Sequence, residues 1–501
     1  MSGPPSPSGV PRRRPRRSFR FSAAAALLIS VSIGTSARAQ DPANVRPSVL
    51  LIVTDDQRWD TLWSMPEVQR SLVTPGVGFE NAFTTSSLCC PSRASILTGA
   101  YPHTTGVYTQ GLPYGGFKSF DDATTIATEL RRTGYRTGFF GKYLDSYQSD
   151  ALAGYVPPGW DRWVAFVHSQ YFDYGLTVDG TIEEHGSEAG DYSTDVLAEQ
   201  TESFIRSSSG PIFAVFAPAA PHAPAVPAEA DQGLFAELPP WRPSSFDEDD
   251  VSDKPRYVQA FRRVGEQRTA ELDQLRRNQY RSLQAVDRAV AALLEAFEDT
   301  GRLDDALVIF TSDNGLSWGE HRWLKKEVPY EEAIRVPLVI RADRIATPAT
   351  DEHLVANIDL APTIADVAGV TLPNADGTSL VPLLRGETVP WRTALLIEHV
   401  RGTNPVPTYC AVRTTDRLFV SYETGEHELY DLVADPAELE NLAGSRPAFE
   451  AHLGTTLRGL CDPPPPGFRN GGGPIVVFVA LAATLALASV ARWSLTAMGR
   501  G

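Results

Sequence analysis

The chain has 501 residues, 42% of them hydrophobic and 21% charged, a globular composition long enough for one large α/β domain and a smaller one. Asp and Glu outnumber Lys and Arg by 61 to 45, giving a formal net charge of -16. That balance argues against a nucleic-acid partner and leaves no global field to steer anions, so an anionic substrate must be drawn by local cations.

In chain order, the first feature is a basic cluster, Arg12, Arg13, Arg14, Arg16 and Arg17, followed by an apolar run over 23–33 and by Ala37-Arg38-Ala39. This is the pattern of an export signal over 1–39 with a small-residue cleavage site, and Arg16-Arg17-Ser18-Phe19 resembles the twin-arginine export motif, with Sec export as the alternative. Four short runs rich in Val, Ile and Phe then read as buried parallel strands, each running into reactive side chains. Residues 48–53 lead to Asp55-Asp56, 137–140 to Gly141-Lys142, 212–216 to Pro221-His222-Ala223-Pro224, and 307–310 to Thr311-Ser312-Asp313-Asn314-Gly315. In an open α/β sheet ligands bind outside the carboxyl ends of the strands, so these distant segments are expected to meet in one crevice.

Between the first two strands, the run Leu88-Cys89-Cys90-Pro91-Ser92-Arg93-Ala94-Ser95-Ile96-Leu97-Thr98-Gly99 reads as a short helix. Pro91 suits its first turn and Gly99 its C-terminal stop, which puts Cys89 where helix N–H groups attract anions. The acidic, Pro-rich stretch 234–255 reads as a long surface insertion. Leu272, Leu275, Leu283, Val286, Val290, Leu293, Leu294 and Phe297 recur at helical spacing over 267–297, with Gly301 as a stop. From Trp391 the texture changes to short runs over 394–400, 410–412, 418–422 and 428–432, the pattern of a small antiparallel sheet. Cys410 and Cys461 are candidates for a disulfide in an oxidising compartment, which spacing alone does not establish. A Pro/Gly stalk over 461–473 leads into uncharged residues 475–491, long enough to cross a bilayer, with Arg492, Trp493 and Arg500 behind them. The expected organisation is therefore a signal (1–39), a catalytic domain (40–390), a C-terminal subdomain (391–460), the stalk, a transmembrane helix (474–492) and a tail (493–501), in an exported protein anchored at the cell surface or in the periplasm.

Asp55, Asp56, Asp313 and Asn314 offer only oxygen donors, which suits a hard divalent cation, Ca²⁺ ahead of Mg²⁺. A thiolate at Cys89 would be chemically mismatched beside them unless it had become an oxygen nucleophile.

The run from Cys89 to Gly99 resembles the sulfatase signature Cys-x-Pro-Ser-Arg-x-x-x-Leu-Thr-Gly at every defined position. The resemblance extends in order through Asp55-Asp56, Gly141-Lys142, Pro221-His222-Ala223-Pro224, Asp313-Asn314-Gly315 and Lys326 to Glu428-Leu429-Tyr430-Asp431-Leu432. It implies an alkaline-phosphatase-like central mixed sheet flanked by helices, with a small C-terminal antiparallel α+β subdomain. It also implies that a formylglycine-generating enzyme converts Cys89 to 3-oxoalanine (formylglycine), whose hydrate is the nucleophile. One Ca²⁺ would be held by Asp55, Asp56, Asp313, Asn314 and the modified Cys89. Arg93, Lys142 and Lys326 would hold sulfate or the hydrate, with adjacent Lys325 as the alternative to Lys326, and His222 would protonate the leaving oxygen.

Many sulfatases continue Gly-Lys-Trp-His-Leu where this chain reads Gly141-Lys142-Tyr143-Leu144-Asp145, so the usual second histidine is missing. That variant, with Cys89-Cys90-Pro91 and the 250–255 segment, resembles the N-acetylglucosamine-6-sulfatase branch and implies a sulfated glycan ahead of a small sulfated molecule as substrate. His321 is a candidate replacement or substrate ligand, and His103 reads as a loop residue. The rivals are a phosphodiesterase or phosphonate monoester hydrolase of the same superfamily and a catalytically silent protein that binds sulfated glycans.

Overall fold

In a computed structural model, which describes residues 46–468, the chain builds one ten-stranded mixed sheet. Its strands are β1 (Val49–Thr54), β2 (Val77–Phe79), β4 (Arg136–Gly141), β5 (Arg162–Phe166), β6 (Tyr174–Val178), β7 (Thr181–His185), β8 (Ile212–Ala217), β9 (Leu307–Ser312), β10 (Leu338–Arg341) and β11 (Ala349–Asp351). The order is β11-β2-β10-β9-β1-β8-β4-β5-β6-β7. The two-residue β3 (Ala82–Phe83) pairs separately with β12 (Val355–Ala356). The centre, β9-β1-β8-β4-β5, is parallel throughout, whereas β10 runs antiparallel to β9 and β6 to β5.

The four expected strands are all present and all central, because β1, β8 and β9 are buried at every position and must be apolar on both faces. Register aligns them: Val49 faces Phe213 on one side and Leu307 on the other. Their carboxyl ends therefore open at one edge, where the acidic, basic and histidine-bearing loops emerge.

Helices cover both faces. The signature run forms α1 (Cys89–Thr98), stopped by Gly99 at φ 72°. On the other face α2 (Ser193–Ser207) lies against α3 (Glu266–Asp299), the long helix expected over 267–297. Its apolar stripe, Leu283, Val286, Val290, Leu293 and Phe297, is completely buried. The expected small sheet is β13 (Leu395–His399), β14 (Tyr409–Arg413), β15 (Arg417–Tyr422) and β16 (His427–Asp431), antiparallel in chain order. It shares an apolar cluster with the main body, in which Phe83, Ile334 and Ile358 meet Leu395, Ile397 and Ala411.

Two expectations change. The 234–255 stretch is not a surface insertion only: Ser245, Glu248, Val251 and Lys254 are buried, and Ser245 accepts a backbone bond from His321 at 2.8 Å. Its polar composition hides these anchors, which are scattered among exposed and half-buried residues. The expectation of a protein anchored by a C-terminal transmembrane helix is also corrected, since among the described residues no helix is long and apolar enough to cross a membrane. The signal at 1–39 and the apolar run at 475–491 lie outside the described residues.

Cys410 and Cys461 are joined by a disulfide across 51 residues, tying β14 to the end of α4 (Pro447–Leu460), which packs on β14. A loop of that length is worth about 2–4 kcal/mol by the entropy it removes from the unfolded chain. Replacing both cysteines by serine should lower unfolding stability by about that amount in denaturant melts. An unchanged midpoint would show that α4 packing alone holds this end.

Candidate active site

Thr54 ends β1, and the chain turns through Asp55 and Asp56, the latter at φ 65°. Among residues with a side chain, a short polar one tolerates that left-handed conformation best. The turn is pinned by the Asp55 amide donating to the Ala220 carbonyl at 3.2 Å and the Asp56 amide to Asp313 Oδ1 at 3.1 Å. From β9, Asp313 donates its amide to the Thr54 carbonyl at 3.1 Å, and Asn314 Nδ2 donates to Asp56 Oδ1 at 2.6 Å. Gly315 is required because a Cβ there would lie 2.1 Å from the Glu332 carbonyl. The ends of β1 and β9 thus bring three carboxylates and an amide together, all buried.

Cations surround them. At the end of β4, Gly141 has φ 125°, and a Cβ would lie 1.9 Å from the Ala217 carbonyl, so only glycine turns the chain here. The turn directs Lys142 Nζ to Asp55 Oδ2 at 2.6 Å. Arg93, one turn into α1, donates from Nε to Asp313 Oδ2 at 2.8 Å and from Nη1 to the Lys142 carbonyl at 2.7 Å. Lys326 donates to Asp56 Oδ1 and, at 2.6 Å, to Cys89 Sγ, whereas Lys325 is exposed. Cys89 Sγ itself lies 3.6 Å from Asp55 Oδ1.

His222 closes the exposed side, with Nε2 3.6 Å from Asp56 Oδ2 and 41% of its side chain open to solvent. Its Nδ1 sits 2.7 Å from the Ala223 carbonyl. A carbonyl only accepts, so Nδ1 carries a proton and Nε2 is the nitrogen that can take one up and return it.

Burial works against every charge in this cluster, and the partners decide each outcome. For Asp55 burial would raise the carboxyl, but Lys142, His222 and Arg93 outweigh it and hold it at about 2. Asp56 is likewise lowered against burial, chiefly by Lys326. The lysines and Arg93 gain from the same carboxylates and stay protonated, both Lys142 and Lys326 being raised despite burial. Burial pushes the Cys89 thiol well above its ordinary value, so at neutral pH the sulfur is protonated and a weak nucleophile.

Two atoms are left over: Asn314 Oδ1 and Arg93 Nη2 are buried and have no hydrogen-bond partner in the protein. The first completes a set of oxygen donors with Asp55, Asp56 and Asp313, which fits a hard divalent cation. The second is a donor beside Cys89 that fits an anionic oxygen.

Of the two other candidate histidines, His321 and His103, neither reaches this cluster through the contacts it makes. His321 is 1% exposed, pairs with Glu248 Oε2 at 2.7 Å and packs on Tyr330; burial lowers it to about 3. His103 pairs with Glu398 Oε2 at 2.9 Å. Cys90 belongs to the apolar core, its amide donating to Gln110 Oε1 at 3.1 Å. Nothing in the sequence singles out Asn357, which donates to Ser92 Oγ at 2.9 Å and accepts from the Thr85 amide at 3.1 Å, fixing α1 beside Asp313. A lone asparagine 265 residues from its partner has no local signature.

Comparison with known proteins matches the same region. The family described as "Sulfatase" spans residues 47–370, and "N-sulphoglucosamine sulphohydrolase, C-terminal" spans 319–457. Human N-acetylglucosamine-6-sulfatase is 33% identical over 448 residues, covering 79% of this chain and 81% of its own. A solved protein in complex with its substrate D-glucosamine-2-N,6-O-disulfate superposes with a TM-score of 0.75 at 23% identity, over 84% of this chain and 99% of its own. The phosphonate monoester hydrolase of Agrobacterium radiobacter gives a TM-score of 0.65 at 22% identity, over 83% of this chain and 96% of its own. The last two establish the fold alone.

The donor set makes a prediction that needs no substrate. Asp313→Asn and Asn314→Ala should each weaken binding of a divalent cation at least about tenfold in calorimetric titration, with unchanged circular dichroism. Affinity equal to the parent's would remove these residues from the metal site.

Proposed function

We propose, for a chain that belongs to the sulfatase family and hydrolyses sulfate esters, that the ester is carried on a glycan and that Cys89 acts as formylglycine beside one Ca²⁺. The observation that carries this reading is the place of Cys89 Sγ, 2.6 Å from the Lys326 ammonium and 3.6 Å from Asp55 within an all-oxygen donor set. There Sγ stands where an oxygen of the hydrated aldehyde belongs, and the buried thiol as such is a poor nucleophile. The glycan is supported by relatives and neighbours whose names specify N-acetylglucosamine 6-sulfate and glucosamine disulfate chemistry.

Asp55, Asp56, Asp313 and Asn314 would hold the calcium, which supplies Lewis-acid polarisation of a sulfate oxygen. The hydrate of oxidised Cys89 would supply the oxygen nucleophile, one hydroxyl ionised beside the lysines to displace the alcohol from sulfur and the other losing its proton to release sulfate and restore the aldehyde. The remaining work belongs to the chain's own side chains. Arg93, through its free Nη2, and Lys142 and Lys326 neutralise the anionic oxygens in a buried, weakly screening setting. Lys326, in contact with both Asp56 and Cys89, orients the nucleophile. His222 Nε2, at the solvent-facing rim, gives its proton to the departing alcohol oxygen.

Because Cys89 is 1% exposed in the fold, the formylglycine-generating enzyme must act on it before α1 is packed. No counterpart to the missing second histidine stands among the described contacts of the cluster: Tyr143 and Leu144 are buried in the apolar core. His222 is the base at hand, so it serves both steps, giving a proton to the departing alcohol in the first and taking one from the remaining hydroxyl in the second.

Two measurements bear on this. Cys89→Ala should abolish sulfate release and Cys90→Ala retain most of it, since Cys90 contributes packing alone; the opposite pattern would move the nucleophile. His222→Ala should slow an alkyl or sugar sulfate by about 10²–10⁴ in kcat and an activated aryl sulfate far less, because only the poor leaving group needs a proton. Equal losses on both substrates would contradict the acid role.

A further inference from the structure

A second set of buried metal-ligating side chains begins on the loop after β9 that also carries Lys326. His321, Glu332 and Glu438 each bring one donor atom within 4.8 Å of the others. They come from separate segments: the loop after β9, the one-turn helix Glu331–Ile334, and the chain beyond β16. His321 and Glu438 are 1% exposed and Glu332 is 9% exposed.

All three keep an atom in reserve. His321 Nδ1 is engaged by Glu248 Oε2 at 2.7 Å, which leaves Nε2 to bind. Nε2, Glu332 Oε2 and Glu438 Oε1 are buried with no hydrogen-bond partner in the protein. The groups are close enough to cluster yet do not bond one another. Ligand bonds of about 2.0–2.2 Å to a shared cation place donors roughly 3–4.4 Å apart, close to the 4.8 Å within which these three atoms lie.

Charge points the same way. The neighbouring cations make their hydrogen bonds elsewhere: Arg413 Nε with Glu331 Oε1 at 2.7 Å, its Nη1 being left without a partner, Arg58 with Glu320 Oε1 at 2.7 Å, and Lys254 with Tyr430 Oη at 3.1 Å and the Glu438 carbonyl. Neither Glu332 nor Glu438 has a cation of its own among the described ion pairs. Burial, with Glu320 nearby, pushes the Glu332 carboxyl up to about 8, and burial raises Glu438 too. A divalent ion would relieve both and accept the free imidazole nitrogen.

We propose that His321, Glu332 and Glu438 form a second metal site, separate from the Cys89 centre, that takes a divalent transition cation, Zn²⁺ by its donor chemistry. One imidazole with two carboxylates is a borderline set that suits zinc better than calcium or magnesium. The ion would fasten the Lys326 loop to the segment following the C-terminal sheet, since Glu332 and Glu438 are otherwise linked only through the Glu331 amide donating to Glu438 Oε2 at 3.1 Å.

The full-length protein, stripped with chelator and reloaded with Zn²⁺ alone, tests this by elemental analysis and by anomalous scattering at the zinc edge. The expected result is a bound zinc at His321 that survives Asp313→Asn and is lost in Glu332→Gln and Glu438→Gln. Zinc should raise the melting temperature of the parent and of Asp313→Asn, and leave that of Glu332→Gln unmoved. Should the glutamine variants fail to fold, the anomalous peak in the parent decides. Absence of zinc at His321 in the reloaded parent, or uptake that falls with Asp313→Asn and not with Glu332→Gln, overturns the proposal. Water or a shared proton then joins the three groups. Sulfate release measured alongside reports on the Cys89 centre and not on this one.

Discussion

Three carboxylates, Asp55, Asp56 and Asp313, are buried together at the ends of two adjacent parallel strands, and partnering them there organises everything nearby. Removing such charges from water is costly unless each finds a partner. Lys142 reaches Asp55 from β4, Lys326 reaches Asp56 from the loop after β9, and Arg93 reaches Asp313 from α1. Each cation arrives from a different element, so the sheet register and the placement of α1 are conditions for the electrostatics. The same partners leave Asn314 Oδ1 and Arg93 Nη2 unpaired, one suited to a cation and the other to an anion. The first is an atom that a hard cation would engage and the second one that an anionic oxygen would engage.

This constraint also explains the glycines and turns. Gly141 and Gly315 stand where a Cβ would strike a carbonyl of the neighbouring segment, 1.9 Å from Ala217 and 2.1 Å from Glu332. Both sit immediately beside functional side chains. Substituting either would move Lys142 or Asn314 by displacing the backbone that carries it, although neither glycine touches a reacting atom.

The central strands and the site were legible in the sequence for one physical reason: buried parallel strands are apolar throughout, so the polar residues that follow them stand out. Asp55, Lys142, His222 and Asp313 all lie just past such runs. The signature from Cys89 to Gly99 was legible because helix start, helix stop and cation fall within one short segment. Choosing Lys326 over Lys325 was not, because neighbouring residues on an irregular loop carry no periodicity to say which one turns inward. Asn357 and the cluster of His321, Glu332 and Glu438 were hidden for a related reason. Their meaning depends on tertiary approach of distant segments, and each is one polar residue among others. The stretch 234–255 misled in the other direction, since its acidic, Pro-rich composition suggested solvent while Lys254 and Glu248 are anchored inside.

The central claim is that an oxygen nucleophile made from Cys89 works inside this oxygen-donor site. Mass analysis of the peptide spanning Cys89 and Cys90 from active, sulfate-releasing protein tests it most directly. The account predicts an aldehyde at Cys89, seen as its hydrate or as an adduct with an amine reagent, and an alkylatable thiol at Cys90. Full activity in a preparation whose two thiols are both intact would contradict it.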